Sequence, residues 1–105
     1  MPEDIENLLH RLIGGDEAAP AEILVRARTC NSPALLVAAA LIAGAPTELM
    51  ARAGRAAATT RDRQLVAVAA AHLEHNDDLL DALVRDHLAD HPDNLLAAWI
   101  AAKHR

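Results

Sequence analysis

Apolar segments of one kind recur along this chain at an interval of thirty residues. Residues 35–41 are leucine, valine and alanine, and similar segments follow at 65–71 and at 95–101. More polar segments lie between them, and their apolar positions also correspond. A buried helix followed by an amphipathic helix at such a period is typical of stacked helical hairpins, because no single hairpin covers its own apolar face.

The kinds of apolar residue present favour helices over strands. Hydrophobic residues make up 52% of the chain, yet Phe and Tyr are absent and Trp99 is the only aromatic residue of the Phe, Tyr and Trp group. Alanine and leucine, which dominate, are strong helix formers, whereas strands favour β-branched and aromatic side chains. The composition therefore predicts an all-α protein.

Residues that start and stop helices divide the chain into about seven predicted helices. Gly14-Gly15 and Gly44 are placed to end helices, and Ser32, Thr60 and Asn76 are placed to cap new ones. The predicted helices cover roughly residues 3–13, 18–29, 33–43, 47–58, 61–75, 77–90 and 92–105.

One of these hairpins resembles a known family. Within residues 64–94, the segment NDDLLDALVRDHLADHPDN is similar to a tetratricopeptide repeat, with its turn at residues 75–77, a small residue at Ala82 and a proline, Pro92, opening the next repeat. The resemblance is fainter over residues 33–60. It implies a helical repeat that presents a concave surface to a partner.

We therefore predict one domain with the architecture of a short right-handed α-solenoid. Residues 1–30 form N-terminal helices that act as a cap, residues 33–60 and 61–91 form two hairpins, and residues 92–105 form a terminal helix. The predicted function is non-catalytic protein interaction, with a peptide or a partner helix bound in a groove. Gln64 and His75, on the first helix of a hairpin, are the predicted groove residues, together with Ala67 and Ala71 between them.

The terminal helix is a second candidate for partner binding. Residues 94–102 are apolar around most of the helix circumference, and solenoid ends normally carry a polar cap. Either the N-terminal helices fold back over this surface or another chain covers it, in which case Leu95, Trp99 and Ile100 are the predicted contacts. The alternative function is accordingly a structural homodimer that self-associates through this helix.

Positive charge is concentrated in four arginines, Arg52, Arg55, Arg61 and Arg63. Two interpretations fit them: an anchor for an acidic peptide or a phosphate group, and a solvated face near a helix C-terminus. Arg52 and Arg55 are included among the candidate partner-binding residues.

Six histidines raise the possibility of metal binding. His87 and His91 are four residues apart and His72 and His75 three apart, but a structural zinc site needs four ligands and these pairs are not expected to converge. A metal- or small-ligand-responsive module is therefore the second alternative, and no metal or cofactor is predicted. Cys30 is expected to be a small packed side chain rather than a nucleophile, and no catalytic residues are assigned.

Charge and targeting signals restrict the classes of partner. The formal net charge of −5 argues against nucleic acids and acidic membranes, and no aromatic cluster is present to stack on bases. The start of the sequence lacks an apolar run, no segment is long enough to span a bilayer, and a single cysteine makes no internal disulfide. A cytoplasmic location is the expectation.

Overall fold

Most of the described part of the chain is helical. The structure, a computed structural model, describes residues 2–43, 47–92 and 94–104. These residues contain seven helices and no strand, which confirms the all-α prediction. The helices are α1 (Pro2–Ile13), α2 (Ala19–Ala27), α3 (Pro33–Ile42), α4 (Thr47–Ala56), α5 (Thr60–Leu73), α6 (Asp77–Asp90) and α7 (Leu95–His104).

Two helices end at residues with positive φ. Gly15, at φ 87°, turns the chain after α1, and the backbone N–H of Asp16 donates to the carbonyl of Arg11 at 2.9 Å. His75 adopts φ 58° after α5, and the N–H of Asn76 donates to the carbonyl of Ala71 at 3.0 Å. Glycine is the usual residue in this left-handed position, so His75 terminates α5 at some conformational cost.

The helix starts agree with the prediction to within three residues, and those of α3, α4 and α6 agree fully. Asn76 caps α6 as predicted, with its Oδ1 accepting from the N–H of Leu79 at 3.3 Å. Thr59, not Thr60, caps α5, because its Oγ1 accepts from the N–H of Asp62 at 3.1 Å. Ser32 occupies the N-cap position of α3 but its side chain makes no capping hydrogen bond. Gly44 lies outside the described residues.

The last helix begins at Leu95, three residues later than the predicted start at Pro92. Asn94 explains the difference, since its Oδ1 accepts from the N–H of Ala97 at 3.3 Å and so caps the first turn. A helix capped by Asn94 cannot extend back to Pro92.

The helix α3 lies at the centre of the packing. Its six residues from 35 to 40 are all buried, and it packs against α1, α2, α4 and α5. Two neighbouring pairs, α3 with α4 and α5 with α6, make the most extensive contacts, and α5 also packs on α7. The three helices that carry the recurring apolar segment thus pack in succession, α3 on α5 and α5 on α7, although another helix separates each pair along the chain.

The first and last helices also touch. Besides α2 and α3, α1 packs against α7. The Cα radius of gyration is 12.5 Å, close to the roughly 13 Å that a compact domain of this size has. Within the described part of the chain, every helix is too short or too polar to cross a bilayer.

Candidate functional site

The structure covers the apolar surface of α7 with the chain's own helices. Leu96, Ala97 and Ile100 are buried, while the outward side carries the exposed alanines Ala98 and Ala102. Because α1 packs on α7, the first of the two predicted alternatives, internal cover by the N-terminal helices, applies to this structure.

The three predicted contacts on α7 therefore differ in their availability to a partner. Ile100 has no exposed surface. Trp99 is half-buried against the core. The side chain of Leu95 lies outside the described part of the chain.

The predicted groove residues do not share one open surface. Gln64 is half-buried and hydrogen-bonded to another helix, and Ala71 is buried. Ala67 is half-buried, and His75 is exposed at the turn after α5. His75 is thus the one fully exposed member of the set, and its backbone conformation gives it a role in ending the helix.

The structure also separates the two arginines proposed to bind a partner. The guanidinium of Arg52 donates to Asn31 Oδ1 at 3.1 Å and to the carbonyl of Cys30 at 3.4 Å, and so joins α4 to the segment before α3. Arg55 is exposed. Arg52 consequently has a structural role, and Arg55 is the member of the pair that faces solvent.

A buried chain of hydrogen bonds connects α5, α6 and the start of α7. His87 on α6 has no exposed surface. Its Nδ1 lies 2.8 Å from Gln64 Oε1 on α5, and its Nε2 lies 2.8 Å from Asn94 Nδ2. Asn94, also buried, caps α7 through its Oδ1.

The cap that Asn94 makes on α7 determines which atom donates in each of these buried hydrogen bonds. Because Asn94 Oδ1 accepts from the Ala97 N–H, the Asn94 amide nitrogen faces His87 and donates to its Nε2. An Nε2 that accepts leaves the proton on Nδ1, which donates to Gln64 Oε1. His87 is therefore a neutral Nδ1–H imidazole with both ring nitrogens engaged.

These bonds disfavour metal binding by the pair His87 and His91, which belongs to the second alternative function. The rings of His87 and His91 lie 5.1 Å apart between centroids and are tilted by 37°. A metal needs a ring nitrogen lone pair, and the lone pair of His87 is taken by Asn94. Residues 2–43, 47–92 and 94–104 contain no group of three or more His, Cys, Asp or Glu side chains arranged to hold a metal ion.

An open cleft lies elsewhere, between α1 and α2. It encloses about 560 Å³ and is lined by Asn7, Leu8, Arg11, Ala21, Glu22, Val25 and Arg26. Leu8, which is buried, is its apolar floor. Val25 stands on its wall with 60% of its surface exposed, more than any other large hydrophobic side chain that the structure describes.

Ion pairs hold one rim of this cleft in place. Arg11 on α1 donates from Nε to Asp16 Oδ2 at 2.7 Å and from Nη1 to Glu22 Oε2 at 2.6 Å. The hydrogen bond to Asp16, followed by the one to Glu22, raises the pKa of Arg11, and the bond from Arg11 lowers the pKa of Asp16. The second bond crosses from α1 to α2, so it sets the spacing of the two cleft walls.

Comparison with known proteins gives no match. No protein-family model, curated protein or solved structure is significantly similar to this chain.

Sequence reasoning missed the cleft and the buried polar chain. His87 is surrounded in sequence by Asp86 and Asp90, which suggests an exposed position, yet it follows Leu80 by seven residues and so lies on the same face. That spacing is a signal for burial. Val25 carried no comparable signal, because helix periodicity alone does not show which of two faces a neighbouring helix will cover.

Proposed function

We propose that this chain is a non-catalytic protein-interaction module that binds an amphipathic helix in the cleft between α1 and α2. The observation that carries the proposal is Val25, a large apolar side chain left 60% exposed beside an open cleft of about 560 Å³ with an apolar floor. Exposed apolar side chains that line a concave surface are typical of sites for peptides and partner helices.

The shape of the cleft supports a helix as the ligand. Asn7 and Arg11 are one turn apart on α1, and Ala21 and Val25 are one turn apart on α2. Two parallel ridges of this kind receive the apolar stripe of a third helix, as in other helix-in-groove complexes. The lining extends for little more than one turn, so the partner contributes one large apolar anchor that reaches Leu8.

The polar rim supports specificity rather than a general affinity for apolar surfaces. Arg11 and Glu22 already pair with one another, and Arg11 also pairs with Asp16. The exposed Asn7 amide offers both a donor and an acceptor to the partner. A paired rim favours a partner with polar, weakly charged residues around its anchor, because an unpaired charge placed there would be desolvated without a new partner.

Helical peptides selected against the wild-type protein test this proposal. We expect Val25→Asp to weaken binding about tenfold or more, since it removes the apolar wall and places a carboxylate beside Glu22. Leu79→Asp is the matched control, because Leu79 on α6 is also a large hydrophobic side chain that is exposed, at 44%. Peptides that bind V25D and wild type equally, or that perturb amide resonances only outside α1 and α2, contradict the proposal.

The tetratricopeptide-like, right-handed arrangement of hairpins belongs to the same proposal. Its support is the packing of α3 on α5 and of α5 on α7, which places the recurring segments side by side. An interaction module of stacked hairpins needs no catalytic group and no cofactor.

Self-association through α7 is a separate hypothesis that solution mass decides. Leu96 and Ile100 are covered within the chain, so this structure favours a monomer. Light scattering over a concentration series is expected to give 11.2 kDa throughout. A stable dimer would instead favour the homodimer function.

A further inference from the structure

Asp16, in the turn between α1 and α2, bonds through its backbone and through both carboxylate oxygens. Its backbone N–H donates to the carbonyl of Arg11 at 2.9 Å, and its own carbonyl accepts from the N–H of Ala19 at 3.2 Å. In the side chain, Oδ1 accepts from the N–H of Ala18 at 2.9 Å, and Oδ2 accepts from Arg11 Nε at 2.7 Å. Asp16 therefore joins the last turn of α1 to the start of α2.

The turn itself has no packed side chain that could fix its shape. Residues 14–18 are all exposed, and Gly15 adopts φ 87° with nothing within 4 Å of an added Cβ. Ala19 is the first buried residue after the turn. The angle between α1 and α2 at this end is consequently held by hydrogen bonds rather than by apolar contacts within the turn.

The carboxylate of Asp16 also restricts the side chain of Arg11. The bond to Asp16 engages Nε, and the same guanidinium donates from Nη1 to Glu22 Oε2 at 2.6 Å. Because the guanidinium is planar and rigid, a bond at Nε fixes the direction of Nη1, which points to Glu22 on the opposite wall of the cleft. The hydrogen bond from Arg11, followed by the one from the Ala18 N–H, lowers the pKa of Asp16, so the carboxylate is ionised and accepts both bonds at neutral pH.

Asp16 acts on the cleft without being part of its surface. Among the residues that the structure describes, Arg11 and Glu22 line the cleft and Asp16 does not. A substitution of Asp16 therefore leaves every lining side chain in place and changes only what holds the two walls relative to each other.

We propose that Asp16 is a positioning residue of the α1–α2 cleft, which aims Arg11 at Glu22 and so holds the two walls at the spacing that a partner helix needs. The inference rests on the proposed function, because it concerns binding in the same cleft. A preformed cleft does not have to be ordered when the partner arrives, so a larger fraction of the free protein is competent to bind. Loss of the bond from Arg11 to Asp16 lowers that fraction, and the association rate falls with it, whereas dissociation of bound partner changes little.

Asp16→Asn and Glu17→Asn are a matched pair of variants. Both remove one negative charge from the same exposed turn, and Glu17 does not line the cleft. An asparagine at position 16 has one amide oxygen, so it accepts from Arg11 or from the Ala18 N–H but not from both.

The probe is a helical peptide selected against the wild-type protein, and each variant is first shown to be folded by circular dichroism. D16N is expected to slow association about two- to fivefold, a modest effect because the paired side chains are 32–49% exposed. E17N is expected to bind as the wild type does. Equal association rates for D16N and E17N, or an effect of D16N on dissociation alone, overturn the inference.

The variant Arg11→Ala tests whether Asp16 acts through Arg11. R11A removes the guanidinium, and the amide oxygen at position 16 is then free to accept from the Ala18 N–H. Adding D16N to R11A is therefore expected to slow association no further, whereas the same slowing as in the wild-type background overturns the inference.

NMR of the free protein separates this inference from the proposed function. Val25 lies near the C-terminal end of α2, away from the turn. D16N is expected to shift the Val25 methyl resonances and to speed exchange of the Arg11 Nε–H with water, while E17N changes neither; unchanged signals in D16N overturn the inference. A peptide that binds V25D and the wild type equally refutes the proposed function alone, and the comparison of D16N with E17N still decides whether Asp16 sets the spacing of the walls.

Discussion

Replacing Asn94 by alanine should be among the most destabilising single changes in this chain. The substitution removes the cap on α7, which is worth about 1 kcal/mol, and leaves the fully buried His87 Nε2 without its donor, which costs about 1–3 kcal/mol. The sum, about 2–4 kcal/mol, is a large part of the roughly 5–15 kcal/mol by which domains are stable. For a chain of this length it corresponds to a fall in Tm of about 10–20 °C.

Asn76→Ala provides a matched control for this prediction. Asn76 caps α6 with the same atom and at the same 3.3 Å distance as Asn94 caps α7, but it is exposed and bonds no histidine. N76A should therefore cost only about 1 kcal/mol. Urea unfolding followed by circular dichroism and by Trp99 fluorescence measures both variants, and the difference between them reports the bond to His87.

A double variant tests the assigned cause. His87→Leu combined with N94A removes the buried acceptor as well as its donor, and the half-buried Gln64 can bond to water instead. The double variant should therefore lower the free energy of unfolding by less than the sum of the two single changes. Equal destabilisation by N94A and N76A, or strict additivity in the double variant, would refute the reasoning.

Three further predictions concern local conformation and surface charge. Gly54→Ala should stabilise the protein by about 0.5–1 kcal/mol, since Gly54 is inside α4 and an added Cβ meets nothing within 4 Å; a lower urea midpoint would contradict it. His75→Gly should raise the free energy of unfolding by up to about 1 kcal/mol by relieving φ 58°, and an unchanged Tm would argue against strain at that residue. Asp16→Asn should destabilise at neutral pH, and its effect should shrink as the pH falls below about 3.8. The Arg11 hydrogen bond, then the Ala18 N–H, lowers the pKa of Asp16 below its ordinary 3.8, so the contribution of Asp16 is present above that value and is lost as the pH falls through the lower folded value. An Asp16→Asn effect that does not change between neutral pH and the lowest pH at which the protein stays folded would show that the charge is not its source.

The helices and their order were predictable because their signals are local. Each lies in a run of good helix formers between residues that stop or cap helices, such as Gly15 before α2 and Asn76 before α6. The errors are also local: Thr59 and Thr60 are both suitable caps, and only the bond to Asp62 decides between them.

The contacts between distant segments were not predictable in the same way. The sequence indicated that α7 needs a cover, but α1 and a second chain were equally suitable on composition. The joining of His87 to Gln64 and Asn94 depends on three helices meeting at one point, across separations of 23 and 7 residues. Neither periodicity nor propensity contains that information, so the fold class followed from the sequence while both candidate sites required the structure.

The contact between α1 and α7 has a consequence for the order in which the protein is made. Most helix pairs in this structure are neighbours along the chain, so they form with little loss of loop entropy as each helix leaves the ribosome. The surface of α1 that packs on α7 must wait for about eighty more residues, roughly 4–16 s at usual rates of synthesis. The nascent chain therefore carries an uncovered apolar helix face for seconds, which makes α1 the segment where a chaperone or another nascent copy has the longest time to bind.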